Sequence, residues 1–125
     1  MRTVTAPQTS FPRPSTYDHP MQASRVGRYV RMAALPGQGA ALADTLLRVA
    51  GALRDAPGCE LYLVNASADE PDTVWVTEVW SDAESSDRAL SGDLSQAGIG
   101  EVLELLDGPP ELVDLRPLGG AGLPG

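Results

Sequence analysis

From residue 28 onward the chain alternates between two hydrophobic periods. Residues 28–35 (RYVRMAAL) read as a strand, closed by the Pro36-Gly37 turn signal. Over residues 39–56, Leu42, Leu46, Val49, Ala50 and Leu53 fall at i, i+4, i+7, i+8 and i+11, which is one face of a helix. Asp44, Arg48 and Asp55 lie elsewhere on it, and Pro57-Gly58 stops it. Residues 59–65 (CELYLVN) form a second strand, residues 66–72 a polar turn, and residues 73–80 (TVWVTEVW) a third strand rich in β-branched and aromatic side chains. Ser81 and Glu84 stand at capping-box spacing, so a second helix is predicted from Asp82, interrupted at Gly92. Ile99, Val102, Leu103 and Leu106 make one more helical face before Gly108-Pro109-Pro110 breaks it, and residues 111–118 (ELVDLRPL) return as a last strand. This order predicts an α+β, ferredoxin-like β-α-β-β-α-β sandwich, a four-stranded antiparallel sheet with helices on one face.

The third strand is apolar on both sides. Val74 and Val76 occupy one face, Trp75 and Val79 the other. A sheet with helices on one side and water on the other would alternate apolar and polar residues. Something must therefore cover the second face, and the simplest cover is the same sheet of a second copy, burying Trp75, Thr77 and Val79 in a two-fold homodimer. On the first strand, Arg28, Val30 and Met32 share one face, Tyr29 and Arg31 the other.

The two ends lack any such period. Residues 1–26 hold four prolines and scattered Ser and Thr, and read as a flexible arm in which Phe11, Tyr17 and Met21 are candidate anchors on a partner. Residues 27–118 form the domain, and residues 119–125 a Gly- and Pro-rich tail. The arm carries Arg2, Arg13 and Arg25 against Asp18, a net +2, so of the total of −8 the rest of the chain carries −10. A body that acidic repels phosphate backbones and argues against nucleic-acid binding. No apolar run approaches the roughly 20 residues of a membrane span, and the first residues lack a secretion signal, so a cytoplasmic location is expected. With Cys59 the single cysteine, no internal disulfide forms. No phosphate loop, metal-ligand cluster or Ser–His pair is present, and no metal or cofactor is expected.

Residues 28–118 resemble the antibiotic biosynthesis monooxygenase family of small dimeric α/β-barrel proteins. Three features carry the likeness: the strand closed by Pro36-Gly37, the helix ended by Ala56-Pro57-Gly58-Cys59, and Glu78-Val79-Trp80-Ser81, which reproduces the family's Glu-x-Trp ahead of a capped helix. The resemblance implies dimers with sheets back to back and a cavity between sheet and helices in each subunit. It further implies oxidation of phenolic substrates by molecular oxygen without metal or flavin, the substrate carbanion itself reducing oxygen. On this likeness Trp80 matches the Trp that lines the family cavity, where it stacks on a polycyclic substrate or else serves as a core aromatic. Glu78, two residues earlier on the same face, is a candidate buried acid for proton transfer, or else a partner for backbone or an Arg. The likeness turns Arg28, Val30 and Met32 towards the cavity with Val76, has Ser86 and Leu90 close it from the helix, and leaves Tyr29 and Arg31 at the dimer face, where Arg31 needs a carboxylate.

Two departures narrow the chemistry. The haem-degrading branch needs an Asn on the first strand and a helix His, but Val30 and the segment Asp87-Arg88-Ala89-Leu90 stand there, and the single histidine, His19, is in the arm. Haem degradation is therefore not expected. Val30 and Val76 also leave the pocket mostly apolar, without the polar groups that surround the Trp of quinone-forming members. The sequence thus supports a cofactor-independent oxygenase or tailoring enzyme acting on an aromatic polyketide-like phenol in bacterial secondary metabolism. A non-catalytic dimeric module binding an apolar aromatic molecule, and a cyclase or isomerase using the same pocket, are the alternatives.

Overall fold

The structure, a computed structural model, describes residues 24–123. The elements run β1 (Val26–Ala33), α1 (Gly39–Ala52), β2 (Cys59–Ala66), β3 (Thr73–Trp80), α2 (Ala83–Leu90), α3 (Asp93–Leu105) and β4 (Glu111–Leu115). Paired strands are antiparallel, and the sheet order is β2-β3-β1-β4, so the first and third strands lie at the centre. This is the ferredoxin-like α+β fold.

The strand pairing stacks residues into rows across the sheet. On the helix side one row is Tyr62, Glu78, Arg28 and Asp114, the next is Val64, Val76, Val30 and Leu112, and Val74 and Met32 follow. Those valines and Met32 meet Leu42 and Leu46 of α1 and Val102 of α3 in the main core. A smaller cluster of Trp80, Val49 and Leu53 fills the other end, with Tyr62 packed against both. Two glycines let helices come close: a Cβ at Gly98 would stand 2.5 Å from Val49 Cγ2, and one at Gly58, at φ +84°, would run into Ser85 at the start of α2.

Several boundaries differ from expectation. The first strand starts earlier, at Val26, because Arg25 is already buried and its Nε lies 2.7 Å from Glu60 Oε1, which ties the last residues assigned to the arm into the sheet. The remaining arm features, Phe11, Tyr17, His19 and Met21, lie outside the described residues. The capping box does not form. Asp82 is the N-cap of α2, its Oδ1 accepting the Ser85 amide at 2.7 Å, while Ser81 donates its hydroxyl to Asp82 Oδ2. A carboxylate so close to the amides wins over a hydroxyl, and those hydrogen bonds hold the Asp82 carboxyl below its ordinary value. Gly92 does divide the second helical region, as the N-cap of α3. Ile99, Val102, Leu103 and Leu106 share one face of the chain as expected, all four lining the cavity between sheet and helices, although Leu103 stays exposed at its margin.

The opposite face of the sheet carries the row Leu63, Thr77, Tyr29 and Val113, with Trp75 and Arg31 beside it. Tyr29 stacks on Trp75 with ring centroids 5.0 Å apart. Leu63, Val113 and Leu115 are about half exposed there. Val79 is buried within the chain itself, and its cross-strand neighbour Gly27 lies under Pro117. Arg31 finds its carboxylates in its own chain, Glu70 and Glu111, each at 3.5 Å, so it needs none from a partner. No helix among the described residues is long and apolar enough to cross a membrane.

Candidate active site

A cavity of about 230 Å³ lies between the helix side of the sheet and α1 to α3. Its floor is the sheet rows led by Arg28, Val30 and Met32, with Glu78 and Tyr62. Leu46 and Val49 of α1 and Leu90 of α2 wall it, with Ile99 and Val102 of α3, and Pro110 and Leu112 reach its rim.

Glu78 is the carboxylate in the cavity lining. Its side chain is 7% exposed, and its Oε1 accepts two hydrogen bonds, from the Trp80 indole N–H at 2.7 Å and from Arg28 Nη1 at 3.0 Å. The same Arg28 nitrogen donates to Ser86 Oγ at 2.9 Å, which fixes the guanidinium between β3 and α2. Asp114, next in the row, stands 4.0 Å from Arg28 Nε but is exposed, so that pairing adds little. Glu78 Oε2 has no protein hydrogen bond among the described residues. Alternation along one strand puts Glu78 and Trp80 on one face, and the antiparallel register brings Arg28 directly opposite Glu78.

Of the residues expected at the site, Arg28, Val30, Met32, Glu78 and Leu90 line the cavity. Trp80, Val76 and Ser86 do not. All three are fully buried behind its wall. Trp80 sits beneath Glu78 in the smaller cluster, with no open ring face on which a substrate could stack, and Val76 is sealed beneath α1 as a core residue. Ser86 acts on the site only by holding Arg28. Cys59, half-buried beside Trp80, has its thiol pushed up by burial and then by the charge of Glu78, which suits packing rather than nucleophilic work.

Sequence reasoning missed Tyr62. It stands opposite Glu78 across β2 and β3, lines the cavity, and has its phenol pushed above the ordinary value by burial and then by the Glu78 charge. Alternation counted back from Val64 would have turned it inward, but the pairing irregularity between Cys59 and Leu61 obscures the count from the strand's start. Tyr62 also borders a more open groove of about 430 Å³ along the outer edge of β2. No group of three His, Cys, Asp or Glu among the described residues is placed to hold a metal ion.

A mostly apolar cavity between a ferredoxin-like sheet and its helices, with one buried carboxylate held from behind, marks a small α+β protein with an internal cavity. Residues 25–100 match the family described as antibiotic biosynthesis monooxygenase, and the chain belongs to that family. A candidate antibiotic biosynthesis monooxygenase from Chloroflexus aurantiacus is 36% identical, with 81% of this chain and 100% of that one covered, at a TM-score of 0.71. Rv0793 from Mycobacterium tuberculosis is 26% identical over 78% of this chain and 99% of that one, at a TM-score of 0.70. NE2512 from Nitrosomonas europaea, a protein of unknown function, is also 26% identical, over 82% and 96%, at a TM-score of 0.68. No curated protein matches the chain.

Proposed function

We propose that this protein is a cofactor-independent oxygenase that deprotonates an aromatic, polyketide-like phenol or its keto tautomer in the cavity and passes the resulting carbanion to molecular oxygen, in bacterial secondary metabolism. The observation that carries the reading is Glu78, a buried carboxylate in a mostly apolar cavity, with one oxygen held by Trp80 and Arg28 and the other without a hydrogen-bond partner among the described residues. An acceptor-only group in a dry pocket suits abstraction of a proton from an apolar substrate. Glu78 is then the catalytic base. Trp80 and Arg28 are positioning residues that fix the carboxylate, and Val30, Met32 and Leu90 shape the apolar walls. For an anthrone-type substrate the ring CH₂ loses both hydrogens and gains one oxygen atom, and the second oxygen atom leaves as water. Electrons for both reductions come from the substrate.

The working unit in this reading is a homodimer closed through the outer sheet face. The Leu63–Thr77–Tyr29–Val113 row, apolar in three of its four members, which are exposed, and running across all four strands, supports that assembly. One observation favours the alternative of a ligand-binding module: Arg28 Nη1 stands 3.0 Å from Glu78 Oε1, so the carboxylate already has a cationic partner in its own chain.

Oxygen uptake on adding anthrone to the purified protein separates the two. The oxygenase reading expects uptake above the spontaneous rate, formation of anthraquinone, and loss of both in Glu78→Gln. Binding of anthrone without uptake would establish the module instead.

A further inference from the structure

We propose that Tyr62 is a second catalytic residue of the cavity, donating its phenolic O–H to the carbonyl oxygen of a compact aryl ketone while Glu78 takes the acidic C–H proton beside it. This rests on the reading of Glu78 as base and names what the opposite wall contributes.

Placement comes first. Tyr62 and Glu78 are cross-strand partners on adjacent strands and share the helix-side face, so their Cβ atoms stand about 4.5–5.5 Å apart. Both line the cavity. The Tyr62 hydroxyl has no hydrogen-bond partner among the described residues, although the ring is packed against both core clusters. A hydroxyl with no partner among the described residues, at the wall of a cavity, can take one from a ligand.

Its protonation state agrees. Burial and the nearby Glu78 charge keep the phenol in its neutral form through the physiological range, and a neutral phenol is a donor. The cavity therefore presents an acceptor from β3 beside a donor from β2. The complementary substrate carries a carbonyl and an acidic C–H on one conjugated frame. At about 230 Å³ the cavity is smaller than the roughly 300–1,000 Å³ of common ligand sites, which favours a compact fused ring system over a tetracyclic one.

The step balances without an oxidant. Glu78 takes the proton, the C–H electron pair becomes the C=C bond of an enolate, and the carbonyl π pair moves onto oxygen. That oxygen, now negative, accepts the Tyr62 O–H more strongly than the ketone did, so the contact stabilises the transition state beyond the ground state. Reaction with oxygen comes afterwards.

Anaerobic proton exchange isolates this step from oxygenation. Anthrone is mixed with the full chain in deuterated buffer without oxygen, and loss of its CH₂ signal is followed by proton NMR. The wild-type protein should exchange the signal faster than buffer, and Glu78→Gln should return it to the buffer rate. Tyr62→Phe should lower the saturated exchange rate on the order of 100-fold, as for other lost oxyanion donors, while changing anthrone affinity by less than about tenfold. Replacing tyrosine by 3-fluorotyrosine, which keeps a phenolic O–H, should retain the exchange that Tyr62→Phe loses. Wild-type exchange that survives in Tyr62→Phe, or a rate loss matched by an equal affinity loss, overturns the role of Tyr62 and leaves Glu78 standing. A wild-type protein that exchanges nothing overturns both.

Discussion

The indole N–H of Trp80 donates to Oε1 of Glu78 across 2.7 Å, two positions back on the same strand face. This bond makes the Trp of the Glu-x-Trp segment a support for the carboxylate and not a surface for the ligand. Trp80→Phe removes a donor to a buried charged acceptor and leaves a void where the indole packed. A loss of about 2–3 kcal/mol is expected in urea unfolding, larger than an ordinary aromatic exchange gives. Little change in stability would mean that the bond contributes nothing.

The ion pair between Arg28 and Glu78 is asymmetric, since the carboxylate is buried while the guanidinium is 22% exposed. Arg28→Met strands the carboxylate and should destabilise the protein by about 2 kcal/mol, discounted for that exposure. Adding Glu78→Gln removes the stranded charge, so the double variant should recover part of the loss. A double variant as unstable as the sum of the two single variants would refute the coupling.

Alkaline pH offers a test of Tyr62. Its folded-state proton is held more tightly than in the unfolded chain, where the ordinary value is 10.0. Stability from this group is therefore intact below about pH 10 and falls as pH rises beyond it, because only the unfolded chain releases the proton. Cys59 shifts in the same direction from 9.0, so Cys59→Ser is the proper background. In that background Tyr62→Phe should flatten the decline, and tyrosinate absorbance of the parent should show a late-titrating phenol that Tyr62→Phe removes. Three phenols titrating together near pH 10 would contradict the burial of Tyr62.

Assembly is tested on the outer sheet face. Leu63 is half exposed on the edge strand of that face, is not among the residues lining the cavity, and stands beside Thr77. Leu63→Arg should leave the monomer folded, because it buries no charge there. In the homodimer it places two like charges in the interface, and sedimentation should shift from dimer to monomer at micromolar concentration. A wild-type chain that sediments as a folded monomer would end the dimer reading.

Much of this protein was legible along the chain. Hydrophobic period located every strand and both main helices, and the Gly92 interruption, because those patterns depend only on which faces of an element are buried. The third strand was read to its ends, since β-branched residues fill it and a polar turn and a capped helix bound it. Glu78, Arg28, Val30 and Met32 could be placed on one face by simple alternation. What the sequence could not decide was competition between groups that only the fold brings together. Asp82 displaced Ser81 as the cap because its carboxylate lies within 2.7 Å of the Ser85 amide. Trp80 turned into the core because Val49 and Leu53 of α1 and Ala89 and Leu90 of α2 pack around it, a matter of distance across elements far apart in the chain. Tyr62 joined Glu78 because a local irregularity in the pairing of β2 set its register, and Arg28 met Glu78 and Ser86 because two strands and a helix converge there. Periodicity determines which side of an element is buried; the register between elements decides which buried polar groups become partners.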